Sequence, residues 1–164
     1  MEIFMGMGTF LAYAGVAIAV ILSGMGSSKG VGYVGEAMSG VIVEDPNKFG
    51  QLLVLQALPA TQGIYGFIVG FLVMLTTGML GGTVGSLSLG TGAYIFISCL
   101  PVGFVGLVSG KCQGRVAAAG VNIIAKRPSE LSKAMVAAAM VETYAILALL
   151  ISMLLIFNVN IVRL

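Results

Sequence analysis

Residues 138–147 read Ala138-Ala139-Met140-Val141-Glu142-Thr143-Tyr144-Ala145-Ile146-Leu147. Glu142 is the only charge between Lys133 and Arg163. About 20 predominantly apolar residues span a bilayer, so this stretch predicts a transmembrane helix with one carboxylate near its middle. An ionisable group at that depth is costly and marks a functional site by default. The plainer alternative is a neutral acid hydrogen-bonded to a neighbouring helix. Which of the two applies depends on the partners that the other helices bring.

Composition extends the membrane reading to the whole chain. Of 164 residues, 59% are hydrophobic and 9% charged, against roughly 25% charged in a soluble domain. Mean hydropathy is +1.09. The net charge of +2 gives no reason to expect nucleic acid as a partner. Without His, the usual metal ligand and neutral-pH acid–base group are missing. No nucleophile–base pair or nucleotide motif is present, so the chain itself is not expected to be an enzyme. Cys99 and Cys112 lie on one predicted helix, roughly 20 Å apart at 1.5 Å per residue. That excludes a disulfide within the chain, and both read as small packing residues. The start, Met1-Glu2-Ile3-Phe4, has no basic stretch ahead of the apolar run, so a cleavable signal is not expected.

Four apolar runs stand out, from about Phe4 to Val43, Phe49 to Leu80, Thr91 to Ile124 and Leu131 to Val162. None alternates as barrel strands do. The predicted fold is an all-α integral membrane protein with four transmembrane helices, in a single membrane domain over residues 1–164. Glu44-Asp45-Pro46-Asn47-Lys48 separates the first two runs, and Lys126-Arg127-Pro128-Ser129-Glu130 separates the last two. Lys29, Lys48, Lys111, Arg115, Lys126, Arg127 and Lys133 fall toward these two loops, and Arg163 at the other end. The positive-inside rule puts both loops in the cytoplasm and both termini outside.

The layout is two helical hairpins, read as an internal repeat of residues 1–80 and 90–164. Pro46 opens the second run as Pro128 opens the fourth, and Thr61 aligns with Thr143, which sets Ala60 opposite Glu142. Ser23-Gly24 followed by Lys29 is paired with Ser109-Gly110 followed by Arg115. Gly24, Gly26, Gly30, Gly32 and Gly35 crowd the first run, and Val116-Ala117-Ala118-Ala119-Gly120 lies in the third. The phosphate-loop order G-x-x-x-x-G-K-[ST] is absent. Small residues instead allow close approach of membrane helices, which places the first and third helices on a crowded inner wall.

The second run contains Leu58-Pro59-Ala60-Thr61-Gln62-Gly63-Ile64-Tyr65. Positions 58, 61, 62 and 65 share one helical face, and three of them are polar. The third run adds Gln113. Counted from the loops, Gln62, Gln113 and Glu142 all lie roughly 20 Å deep. Thr61, Gln62, Gln113 and Glu142 then form a set of hard oxygen donors with a single negative charge. That suits a monovalent cation, because a divalent ion would want more carboxylates. The extra donors favour Na+. A proton site, needing only the carboxylate, is the alternative. Pro59 removes one backbone donor and bends the helix, either exposing carbonyls to a ligand or simply making a packing kink. Tyr65 can donate its phenol to Glu142.

These residues resemble the membrane rotor-ring subunit of V-type ATPases, the proteolipid, c-type or K subunit. The resemblance rests on residues 23–32, 58–67, 113–120 and 140–147 and is greatest to the sodium-translocating bacterial branch. It implies ion ligation by the Leu58 carbonyl, Thr61, Gln62, Gln113 and Glu142, with Tyr65 as hydrogen-bond partner. Ala60 departs from the family, where Gly is common, and its methyl is expected to alter packing without abolishing binding. The implied partners are identical subunits in a ring, a stator membrane subunit with half-channels, a central stalk, a cytoplasmic ATP-hydrolysing head and the lipid bilayer. Two other classes compete, a four-helix secondary transporter with one membrane Glu and a purely structural scaffold.

Overall fold

The computed structural model describes residues 2–81 and 87–158, with side chains from residue 6 onward. Among these residues the chain is all-helical. α1 covers Glu2–Glu44, α2 Phe49–Ala57, α3 Thr61–Thr76, α4 Leu89–Lys126 and α5 Leu131–Phe157. Four stretches are long and apolar enough to cross a membrane, namely Gly6–Glu44, Pro46–Thr76, Leu89–Lys126 and Pro128–Phe157. Their order is the one read from the sequence, with α2 and α3 forming the second span. The expected extension of the fourth helix to Val162, and Arg163 itself, lie outside the described residues, as does the middle of the connection between the second and third spans.

Local chemistry sets the breaks. Asp45 caps a short 3-10 turn, Pro46–Lys48, by accepting the Asn47 N–H at 3.1 Å. Pro128–Glu130 makes the equivalent turn ahead of α5. Proline suits the first position of a helix because the donor it lacks would have no partner there. Ser88 caps α4 by accepting the Thr91 N–H at 3.1 Å. Lys48 Nζ donates to the Ala125 carbonyl at 2.8 Å, which joins the first loop to the end of α4. At the opposite end, the Leu87 N–H donates to Thr9 Oγ1 at 3.1 Å. The two loops therefore share one end of the bundle, and α1 and α4 run parallel.

α1 and α4 make the closest pair, as their small residues predict. A methyl on Gly26 would meet the Gly106 carbonyl, one on Gly30 the Gly110 carbonyl, and one on Gly114 the backbone of Gly30. α3 lies against both helices, and α5 packs mainly on α4. α4 continues through Pro101, and the Val102 N–H donates to Ser152 Oγ of α5 at 3.3 Å.

Two apolar clusters form the core. One includes Ala19, Val69, Val73, Cys99 and Val102. The other, nearer the loops, includes Val34, Leu52, Leu55, Ala117 and Ile124. Buried Ser23, Ser27, Gln62, Ser109 and Gln113 form a polar layer between them. Outward faces of α3 and α5 are bulky and apolar, with Phe67, Val136, Met140 and Leu147 exposed.

Two expectations need correction. Cys99 is buried, but Cys112 is exposed and packs on nothing inside the chain's core. The pairing of Ser23-Gly24 with Ser109-Gly110 is one helical turn out of register. Gly70 of α3 lies against Val16 and Val20, and Ser152, 82 residues on, bonds to Val102, likewise 82 beyond Val20. In that register the counterpart of Ser109 is Ser27. A shift of four residues leaves the same face of a helix turned inward, so helical periodicity alone does not separate the two registers.

Candidate ion-binding site

The second span is helical up to Ala57, tightens into a 3-10 turn at Leu58–Ala60 and resumes as α3 at Thr61. Pro59 sits inside this turn and is buried. The Leu58 carbonyl accepts both the Thr61 N–H and, at 3.1 Å, the Thr61 hydroxyl. The turn thus gathers the Leu58 carbonyl oxygen and the Thr61 hydroxyl oxygen at the point where the α-helix is interrupted.

At the next residue α3 sends Gln62 inward, fully buried. Its Nε2 donates to Gln113 Oε1 of α4 at 2.5 Å and to Ser109 Oγ at 3.4 Å. Gln113 Nε2 in turn donates to Glu142 Oε2 of α5 at 3.3 Å. Tyr65 donates its phenol to Glu142 Oε1 at 2.5 Å. Glu142 is half-buried and takes donors on both carboxylate oxygens.

Of the residues singled out in the sequence, Gln62, Tyr65, Gln113 and Glu142 form one connected chain of hydrogen bonds across three helices. Thr61 and Leu58 stand beside this chain, bonded to each other through the Thr61 hydroxyl. Among the described residues, Gln62 Oε1 is buried and has no hydrogen-bond partner. A buried acceptor left unpaired costs about 1–3 kcal/mol. A cation with oxygen ligands at that atom would remove that cost.

Sequence reading missed two serines. Ser109 Oγ accepts from Gln62 and donates to the Val141 carbonyl at 3.2 Å, next to Glu142. Ser27 Oγ accepts the Gly63 N–H at 2.7 Å. The signal for Ser109 was available, since it precedes Gln113 by four residues and so shares its face. No group of three or more His, Cys, Asp or Glu side chains that could hold a metal occurs among the described residues, so a carboxylate-rich divalent site is not what this layer offers.

The model of the family described as the C subunit of ATP synthase matches the chain twice, over residues 14–73 and 96–155. Both ends of the second match lie 82 residues beyond those of the first, the same register found in the packing. The V-type sodium ATPase subunit K of Enterococcus hirae is 47% identical over 151 residues, covering 92% of this chain and 93% of that protein. The A-type ATP synthase subunit K of Methanocaldococcus jannaschii is 41% identical over 149 residues, covering 91% of this chain and 63% of that protein. With both hairpins matched and a single ionisable layer between the two apolar clusters, the chain belongs to the ATP synthase C-subunit family.

Proposed function

We propose that this chain is the ion-carrying subunit of a membrane rotor ring and binds one Na+ at Glu142. The ligands are the Leu58 carbonyl, Thr61, Gln62, Gln113 and Glu142, with Tyr65 orienting the carboxylate. The observation that carries this reading is Gln62 Oε1, buried without a partner one residue from Thr61 and bonded through its amide nitrogen to Gln113. A cation ligated by that oxygen would remove the cost of leaving it unpaired, about 1–3 kcal/mol. The sodium-ATPase relative, at 47% identity, supports the choice of ion.

Membership of the family makes the chain a non-catalytic subunit, with ATP chemistry residing elsewhere in the complex. Rotation against a stator subunit with half-channels would carry the ion. A bare carboxylate is costly in hydrocarbon, and an ion-neutralised one much less so. Only loaded sites then pass through the lipid-facing arc, and an arginine of the stator would release and reload the ion. The central stalk and cytoplasmic head would engage the ring at the loop end, where Lys126 and Arg127 lie. This orientation places the termini outside.

Labelling with a membrane-permeant carbodiimide tests the site. Glu142 is expected to be the modified residue, and millimolar sodium is expected to slow its labelling at constant pH. Labelling that follows pH but ignores sodium would replace Na+ with H+ and overturn the ion assignment. In the Tyr65→Phe variant the carboxylate loses one donor. Hydrogen bonds to charged groups contribute about 1.5–3 kcal/mol, so half-protection should need at least about tenfold more sodium. Unchanged protection would remove Tyr65 from the site.

A further inference from the structure

The hydrogen bonds of the polar layer run in one direction. An ionised carboxylate accepts and never donates, so Gln113 turns its Nε2 to Glu142 and its Oε1 to Gln62. Gln62 answers with Nε2, which accounts for one of its two amide hydrogens. The other reaches Ser109 Oγ at 3.4 Å, and Ser109 donates its own hydrogen to the Val141 carbonyl at 3.2 Å. A backbone carbonyl also has no hydrogen to give. Both branches therefore lead outward from Gln62 to groups that only accept, Glu142 on one and Val141 on the other. With its nitrogen committed to α4, the Gln62 amide keeps its oxygen on the opposite side, buried and unpaired.

Ser109 is well placed to hold that nitrogen. It stands between Gly106 and Gly110 on α4. A methyl on Gly106 would meet Ser23, and one on Gly110 the backbone of Gly26 and Ser27, so this turn of α4 is held against α1. Ser109 itself is only 5% exposed. A hydroxyl suits the position because it accepts and donates at once. Ser27, its counterpart 82 residues earlier, accepts a backbone N–H, that of Gly63, whereas Ser109 accepts from a side-chain amide.

We infer that Ser109 is a positioning residue that gives the site its preference for a metal cation, by holding the Gln62 amide with its oxygen toward the ion. It does not touch the ion itself. A turned amide would present N–H groups to the same place, and their partial positive charge repels a cation. The branch through Gln113 ends on Glu142 by way of a second rotatable amide. The branch through Ser109 ends on the backbone of α5, one residue before Glu142. Ser109 thus ties the orientation of the neutral ligand to the helix that carries the charge. The role rests on the sodium reading above and adds a residue outside its ligand set.

Threonine and valine have nearly the same shape and differ by the hydroxyl, which isolates the effect. Carbodiimide labelling of Glu142 in native membranes is followed against sodium, at constant pH, for the wild type, Ser109→Thr and Ser109→Val. Loss of one hydrogen bond predicts that Ser109→Val needs at least about fivefold more sodium for half-protection, while Ser109→Thr stays within about twofold of the wild type. Ser109→Ala, which needs no extra room, should show the same rise as valine, and it decides the matter if native size in mild detergent shows that the valine variant does not assemble. The melting midpoint of the same samples separates positioning from packing. A lowered midpoint with unchanged half-protection would make Ser109 a packing residue and overturn the inference, leaving the sodium site standing. Equal rises in threonine and valine with none in alanine would assign the effect to bulk and overturn it too. A wild type that sodium does not protect would overturn both the inference and the sodium site.

Discussion

Replacing Glu142 by glutamine is expected to reduce sodium transport by the assembled complex at least about a thousandfold, while the subunit still folds and assembles. The amide has nearly the same shape and keeps an oxygen for the Tyr65 phenol, which donates to Oε1. What it removes is the only negative charge in a layer otherwise made of amides, hydroxyls and carbonyls. Without it a bound cation would sit unneutralised in a partly dehydrated site, at an effective cost of several kcal/mol per ion. At 1.4 kcal/mol per tenfold change in affinity, about 4 kcal/mol corresponds to that thousandfold loss. Radioactive sodium uptake into vesicles carrying the whole complex measures it, and native size in mild detergent reports assembly. Normal uptake by the variant would sink the ion-carrier assignment.

The second large effect is structural. Gly114→Leu is expected to destabilise the chain by at least about 3 kcal/mol. A Cβ at Gly114 would overlap the Cα, carbonyl carbon and oxygen of Gly30. Overpacking that side chains can absorb costs about 1–3 kcal/mol. Here no side chain stands between the two backbones, so α1 and α4 must separate along their length. At roughly 2–4 °C per kcal/mol for a chain of this size, the melting midpoint in mild detergent should fall by about 6–12 °C. Gly40→Leu is the control, since nothing lies within 4 Å of its added methyl, and it should leave the midpoint within about 2 °C. Equal midpoints for the two variants would show that the close approach of α1 and α4 contributes little.

Much of this was legible before any coordinates. Four uninterrupted apolar runs leave few choices of fold, and helices of fixed rise turn residue counts into depths. That is why Gln62, Gln113 and Glu142, counted from different loops, do meet at one level. The bond from Tyr65 followed from its place on the Gln62 face. Other features depend on neighbours rather than on counting. Ser109 is an unremarkable serine until Gln62 and Val141 stand beside it. Cys112 looks like a packing residue because its helix is apolar, yet its side of α4 is left open. The repeat was visible, but its register on the inner helices slipped by one turn because several small residues at four-residue spacing fit equally well. Pro101, unlike Pro59, left the helix unbroken, and Ser152 takes the neighbouring N–H.

The register also separates the roles of the two hairpins. Gln62, buried, corresponds to Tyr144, exposed, and Ala60 corresponds to Glu142. The first hairpin brings only neutral groups to the polar layer, and the second brings Gln113 together with the single charge. In the proposed ring this acts as a gear ratio. A wheel of such chains moves half as many ions per revolution as it has hairpins, so a fixed free energy per turn is divided among fewer steps. Each ion could then be driven against twice the electrochemical gradient that a wheel with a carboxylate in every hairpin could oppose. In that ring the methyl group at Ala60 would mark the place where throughput is exchanged for force.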